Sequence, residues 1–308
     1  MKKIAFIFPG QGSQFVGMGE DFYNSNHVAK EMFEKASDTL KIDMKDLLFK
    51  ENSNLEKTQF AQPAILLVSA IAHKLFEDEM NIKPIFALGH SLGEFSANYA
   101  TKSLSFEDAL TLVHNRGKLM QQACEGKDAG MMALIGLSDE VVESICKQAQ
   151  KDSYEVYPAN YNSNGQIVIA GKRSDLKALE STFKENGAKR ALLLNMSVAS
   201  HCPLLESAKE PLREILNQKL NDEFLFDIVS NVTAQKYNTK DDAIKLLSDQ
   251  LTKPVLYKQS IEKFDNEIEL YIEFGANVLK GLNRRNTTKP TLCITDIQTL
   301  EKAFEQIQ

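Results

Sequence analysis

Gly89-His90-Ser91-Leu92-Gly93 is the segment that most narrows what this chain can become. Pro84–Leu88 before it predicts a strand and Glu94–Ala100 after it predicts a helix, so G-x-S-x-G falls on the turn between them. On such a turn the backbone is strained and the serine hydroxyl stands exposed at the head of the helix. A glycine two residues to either side lets other backbone approach where a Cβ would clash. The helix N-terminus then offers free N–H groups, and the positive end of its dipole, to developing negative charge. A five-residue pattern of this kind can also be a glycine-rich turn with a capping serine. Its position between strand and helix favours Ser91 as a nucleophile.

The rest of the chain alternates short apolar runs with amphipathic segments, the mark of an α/β protein. Lys3–Phe8 predicts a strand that runs into Pro9-Gly10-Gln11-Gly12-Ser13-Gln14. Gln62–Met80 predicts a largely buried helix with Pro63 near its first turn, and Phe106–Ala123 a second one opened by Glu107 and Asp108. Further on, Met131–Leu137 reads as a strand and Ser138–Gln150 as a helix capped by Ser138. Two strands, Tyr154–Tyr161 and Gln166–Ala170, flank the hairpin signal Asn164-Gly165. Ser174–Asn186 is a helix stopped by Gly187, and Ala188–Leu194 a strand. This βαββαβ order is that of a ferredoxin-like unit. The expected architecture is a large hydrolase-like α/β domain with a parallel sheet, formed by residues 1–125 and 198–308 and interrupted by a ferredoxin-like subdomain at 126–197.

Composition excludes some classes. With 308 residues, 43% hydrophobic and 25% charged, the chain has no run near the roughly 20 apolar residues of a membrane span. Lys2 and Lys3 resemble the head of a signal peptide, but the apolar run after them ends at Phe8, short of such a core. The four cysteines are scattered without a CxxC pair, which argues against a disulfide framework or a zinc site and fits the reducing cytoplasm. A net charge of -6 makes nucleic acid a poor general partner.

A serine nucleophile needs a base. Of the five histidines, His73 lies in an apolar helix and His114 on an amphipathic one, where structural or solvated roles are ordinary. His90 is expected to point away from Ser91 if it continues the strand alternation. His201 follows an apolar strand in the loop Ser197–Pro203, free to reach the turn. In α/β-hydrolases the histidine follows the last strand near the C-terminus, and neither that position nor their HGGG-type oxyanion motif is found here. The loop at Gly10–Gln14 lacks the pattern of a phosphate loop, and Phe15 stands where G-x-G-x-x-G needs glycine. Its small residues suit close packing against the turn, with the N–H groups of Gln11 and Leu92 as oxyanion donors, each worth about 3 kcal/mol in the transition state. Arg116 is either an exposed helix arginine or a bidentate partner for a substrate carboxylate, and spacing does not choose between them.

PGQGSQ, GHSLGE, RGKLMQ, SHCPLL and QLTKPV, in this order along nearly the whole chain, resemble the malonyl-CoA:acyl carrier protein transacylases. The resemblance implies Ser91 as nucleophile, His201 as general acid/base, and Gln11 and Leu92 as oxyanion donors. It implies Arg116 as the holder of the malonyl carboxylate and the backbone carbonyl of Gln250 as the group that orients His201. Asn160 and Asn162 fall in a segment similar to one lining the family's carrier cleft. One departure, Phe274-Gly275-Ala276-Asn277 in place of a Gly-Pro-Gly turn, touches no catalytic position. The expected activity is ping-pong transfer of malonyl from coenzyme A to the phosphopantetheine thiol of acyl carrier protein, for fatty acid synthesis. The chain is expected to be a cytoplasmic monomer without metal or other cofactor. Two rival readings are a serine thioesterase or esterase with the same dyad, and a docking module without turnover. Lys189-Arg190 and Arg284-Arg285, flanked by Lys280 and Lys289, are the expected docking cations for an acidic carrier.

Overall fold

The computed structural model describes residues 2–307. In chain order its strands are β1 (Ile4–Phe8), β2 (Phe86–Gly89), β3 (Ala129–Ile135), β4 (Val156–Ser163), β5 (Gln166–Lys172), β6 (Arg190–Leu193), β7 (Ile228–Val229), β8 (Lys236–Tyr237), β9 (Leu270–Phe274) and β10 (Thr291–Ile294). They form two sheets. One, ordered β10-β9-β1-β2-β7-β8, is parallel except for its β7–β8 edge. The other, ordered β4-β5-β3-β6, is wholly antiparallel.

β1 lies inside the parallel sheet and all of its residues are buried, which is why IAFIF is apolar without alternation. Its neighbours are β2 on one side and β9 on the other. The strand order therefore reverses at β1, the place where open α/β sheets collect ligands beyond their carboxyl ends. β1 ends at Phe8 before the Gly10–Gln14 loop, and β2 ends at Gly89 before Ser91.

The antiparallel sheet alternates its two faces between two cores. Met132, Leu134, Ile167 and Ile169 pack with Val142, Cys146, Leu176 and Phe183 in a small core of their own. Met131, Val168 and Ala170, from the other face, join the core of the large domain. The hairpin turns at Asn164-Gly165, with Gly165 at φ 73.

Several expectations shift. The helix foreseen from Gln62 begins a turn earlier and spans Thr58–Glu79. Pro63 thus sits inside it and leaves the carbonyl of Gln59 without its N–H partner. His114 Nδ1 fills that place by donating to Gln59 O at 2.7 Å, which gives this histidine a structural role. The single helix expected over Ser174–Asn186 is two short ones, Arg173–Ala178 and Glu180–Glu185. The backbone loosens at Leu179, yet Leu176, Leu179 and Phe183 still present one apolar stripe to the small core. Ser138 precedes its helix, Asp139–Lys151, as expected, but its side chain makes no capping bond.

Candidate active site

Ser91 sits between β2 and the Leu92–Ala100 helix with φ 53 and ψ -107, a conformation strained for any residue but glycine. The glycines around it are there for space. A Cβ on Gly89 would lie 1.8 Å from the Gly93 carbonyl carbon, and one on Gly93 would lie 2.0 Å from Phe8 O. β1, β2 and the helix can meet at this point only without side chains. Asn231, in the loop after β7, fastens the turn. Its Oδ1 accepts from Ser91 N at 2.7 Å and its Nδ2 donates to Gly89 O at 2.7 Å.

His201 reaches this turn from the loop after β6, itself at φ 62 and 3% exposed. Its Nδ1 lies 2.7 Å from Gln250 O. A carbonyl only accepts, so Nδ1 carries the proton and Nε2 is left as an acceptor. Nε2 lies 2.8 Å from Ser91 Oγ and takes the serine hydroxyl bond. Burial, then the nearby Arg116 charge, lowers the pKa of His201 to about 3, so the ring is neutral at physiological pH.

Arg116, on the Phe106–Cys124 helix, is 1% exposed and points inward. Nη1 donates to Gln62 Oε1 at 2.7 Å, and Nη2 donates to Gln250 Oε1 at 2.9 Å and to Ser91 Oγ at 3.1 Å. The guanidinium also lies 5.0 Å over the Phe95 ring, while Nε has no partner. Burial lowers its pKa to about 10, which leaves it charged at neutral pH. A cation held against the serine oxygen is not the exposed helix arginine that spacing also allowed.

Among the described residues no acceptor takes the backbone N–H of Gln11 or of Leu92. The Gln11 side chain is held instead, its Oε1 accepting from Thr58 Oγ1 at 2.8 Å. Gln11, Ser91, His201 and Arg116 share a cavity of about 160 Å³. Its far wall comes from the antiparallel sheet, with Met131, Val168, Asn160 and Asn162. The expectation for His90 fails: its ring lines this same cavity, with Nε2 2.7 Å from Asn162 Oδ1. β2 ends at Gly89, so the strand alternation that was to turn His90 away no longer applies. A larger groove of about 700 Å³ lies beside Lys118, Lys127 and Arg173. No histidine lines it, whereas the smaller cavity brings Ser91 and His201 together.

The sequence reading missed Glu94, Asn231 and Gln62 below the serine, and the side chain of Gln250. Gln250 contributes its side chain as well as its carbonyl: Nε2 donates to Ser91 O at 3.0 Å and to Glu94 Oε2 at 2.7 Å. Glu94 is fully buried, and Asn231 and Gln62 are too. A carboxylate within the apolar stretch LGEFSANYA was the available signal for Glu94. Nothing in the loop around Asn231 marked it. Among the docking candidates, Lys189, Arg190, Arg284 and Arg285 are exposed. Lys289 is not free, since its Nζ bonds the carbonyls of Asp265 and Ile268.

The sequence matches the acyl transferase domain family over residues 5–282. It is 37% identical over 312 aligned residues to a malonyl CoA-acyl carrier protein transacylase of Bacillus subtilis (strain 168), covering 100% of this chain and 98% of the relative. The fold is similar to that of the malonyl-CoA:acyl carrier protein transacylase of Helicobacter pylori, with TM-score 0.97, 48% identity, and coverage of 100% of this chain and 99% of that one. It is also similar to a malonyl-transacylase solved in complex with its type II PKS acyl-carrier protein, with TM-score 0.95, 34% identity, and coverage of 99% of both chains.

Proposed function

The chain belongs to the acyl transferase family and, within it, to the malonyl-CoA:acyl carrier protein transacylases, and from that membership we propose how its residues divide the reaction. Ser91 is the nucleophile and His201 the base. His201 Nε2 takes the hydroxyl proton as Ser91 Oγ attacks the thioester carbonyl of malonyl-CoA. The oxyanion rests on the free N–H groups of Gln11 and Leu92. The carbon–sulfur bond then breaks, and His201 returns the proton to the departing thiol. The phosphopantetheine thiol of the carrier enters, gives its proton to the same nitrogen and attacks the acyl-serine carbonyl. The ester carbon–oxygen bond breaks and His201 returns the proton to Ser91 Oγ, leaving the malonyl group on the carrier as a thioester. Gln250 O keeps the ring in the tautomer this cycle needs.

The observation that carries the malonyl assignment is the buried Arg116 guanidinium, 3.1 Å from Ser91 Oγ. A free carboxylate on the acyl group can take over that contact as a charge-assisted pair. The cavity that holds these groups measures about 160 Å³. Asn160 and Asn162 contribute the opposite wall. Carrier docking is assigned to the exposed pairs Lys189-Arg190 and Arg284-Arg285.

No helix among the described residues is long and apolar enough to cross a membrane, and the four cysteines are free. Free cysteines suit a reducing compartment, and we place the chain in the cytoplasm, supplying fatty acid synthesis. The thioesterase alternative is disfavoured by the same arginine, which hydrolysis of a neutral acyl chain does not need.

Intact-protein mass spectrometry after mixing with malonyl-, acetyl- and methylmalonyl-CoA tests this function. A single malonyl adduct is expected, absent in Ser91→Ala and discharged by holo acyl carrier protein. A normal adduct on Ser91→Ala, or rapid discharge to free malonate without the carrier, contradicts the assignment.

A further inference from the structure

One buried ionisable group beside the site has no part in the steps above. Glu94 has no solvent exposure, and its Oε2 accepts from Gln250 Nε2 at 2.7 Å and from Asn231 N at 3.1 Å. Its Oε1 has no partner within 3.5 Å, although the Tyr237 hydroxyl stands near enough to act on the carboxyl. The two residues it holds are the two that set the site. Gln250 presents its amide nitrogen to Glu94 and its amide oxygen to Arg116 Nη2 at 2.9 Å. Asn231 anchors the Ser91 amide. The Gln250 amide therefore joins a buried carboxyl to a buried guanidinium, with each end turned to the matching sign of charge.

We propose that Glu94 is the resident counter-ion of Arg116, and that a substrate carboxylate arriving on Arg116 displaces that charge by driving a proton onto Glu94. The inference rests on the reading that Arg116 receives the carboxylate of the acyl group. With that carboxylate in place, two buried anions share one guanidinium, and such a pair does not stay doubly ionised. The proton comes from solvent and adds to a Glu94 oxygen, and no other bond is made or broken. Glu94 is thus a positioning residue whose charge state follows the ligand.

The surroundings leave few other groups to answer. Around Glu94 stand Gln250 and Asn231, Asn98 from its own helix, Tyr237 from β8 and Arg116 from the Phe106–Cys124 helix. Burial holds the Tyr237 phenol far above its usual range and therefore neutral. Arg116 is the one permanent charge among them. Burial also raises the Glu94 carboxyl to about 7, against the pull of its hydrogen bonds and of Arg116. The empty site then holds a mixture of charged and neutral Glu94 near neutrality. A second anion raises its proton affinity further, so the uptake on binding is largest at and somewhat above pH 7. Carboxylated acyl groups should accordingly lose ground to uncharged ones as pH rises through that window.

Isothermal titration calorimetry on Ser91→Ala, which cannot be acylated, tests this. Malonyl-CoA and acetyl-CoA are titrated at pH 7.5 in two buffers of different ionisation heat, and subtraction removes protons bound by the shared coenzyme. Malonyl-CoA should take up about half a proton or more beyond acetyl-CoA. Ser91→Ala/Glu94→Gln, which keeps the shape and an acceptor oxygen, should abolish the excess. Equal uptake for the two thioesters, or an excess that persists with glutamine at position 94, overturns the proposal. Should the double variant not fold, the unsubstituted enzyme decides. Its malonyl-to-acetyl ratio of kcat/KM should fall about tenfold between pH 6.5 and 8.5, and a flat ratio overturns the inference. Absence of any malonyl-CoA binding would instead bring down the functional reading beneath it.

Discussion

The two sheets bury opposite kinds of material. At the carboxyl ends of β1 and β2 the chain hides a guanidinium, a carboxyl group and a histidine around a serine in a strained turn. Around the antiparallel sheet it hides hydrocarbon, with Met132, Val142, Ile167, Ile169 and Phe183 filling a core of their own. Unpaired buried charge costs several kcal/mol, so the first region holds only because nearly every polar atom has a partner. Arg116 is tied to Gln62, Gln250 and Ser91, and His201 to Gln250 and Ser91. The second region packs mostly as hydrocarbon, and two polar residues it buries, Asn160 and Asn162, lie on the wall it contributes to the cavity. The proposed chemistry falls where the ordinary rules are broken and the breach is compensated.

Substitutions should separate the two regions. Gly93→Ala forces a Cβ to within 2.0 Å of Phe8 O, a backbone atom that cannot step aside. A loss of at least about 3 kcal/mol is expected, visible as a melting temperature lower by several degrees or as insoluble protein. A variant with unchanged melting temperature would show that the elbow is not as tight as drawn. His201→Ala should fold normally and slow both half-reactions about a hundredfold or more, measured by rapid-quench acylation and by transfer to carrier. Greater damage from His90→Ala or His114→Ala would move the base elsewhere. On the antiparallel side, Asn162→Ala removes one hydrogen bond, to His90, worth about 1 kcal/mol. Steady-state transfer should drop less than about tenfold. A loss as deep as that of His201→Ala would end the distinction between a reactive region and a wall.

Legibility in the sequence follows the same division. The ferredoxin-like unit could be read element by element because its strands alternate, its hairpin carries Asn-Gly and its helices are amphipathic. Its second helix differed, loosening at Leu179, and the Ser138 side chain makes no cap. The strand–turn–helix around Ser91 was equally plain. The polar support beneath it was not, because it is assembled across long separations: Asn231 meets Ser91, and Gln250 meets Glu94, through folding alone. A lone asparagine in a loop carries no periodic signal, and the carboxylate in the apolar stretch LGEFSANYA marks burial without naming its partners. His90 was misjudged because an alternation rule was carried past the end of its strand. His114 gained its role from Pro63, which lies inside its helix because that helix starts a turn earlier than the pattern suggested.

The central claim is that a buried cation beside the nucleophile selects a carboxylated acyl group. It is tested most directly by Arg116→Ala, comparing single-turnover acylation of Ser91 by malonyl-CoA and acetyl-CoA. Loss of a charge-assisted contact to a partly buried carboxylate costs roughly 2–5 kcal/mol. Malonyl transfer should fall about thirtyfold or more, while acetyl transfer changes little or rises. Equal losses for the two thioesters would contradict the account, leaving Arg116 as a brace for the site and the choice of acyl group unexplained.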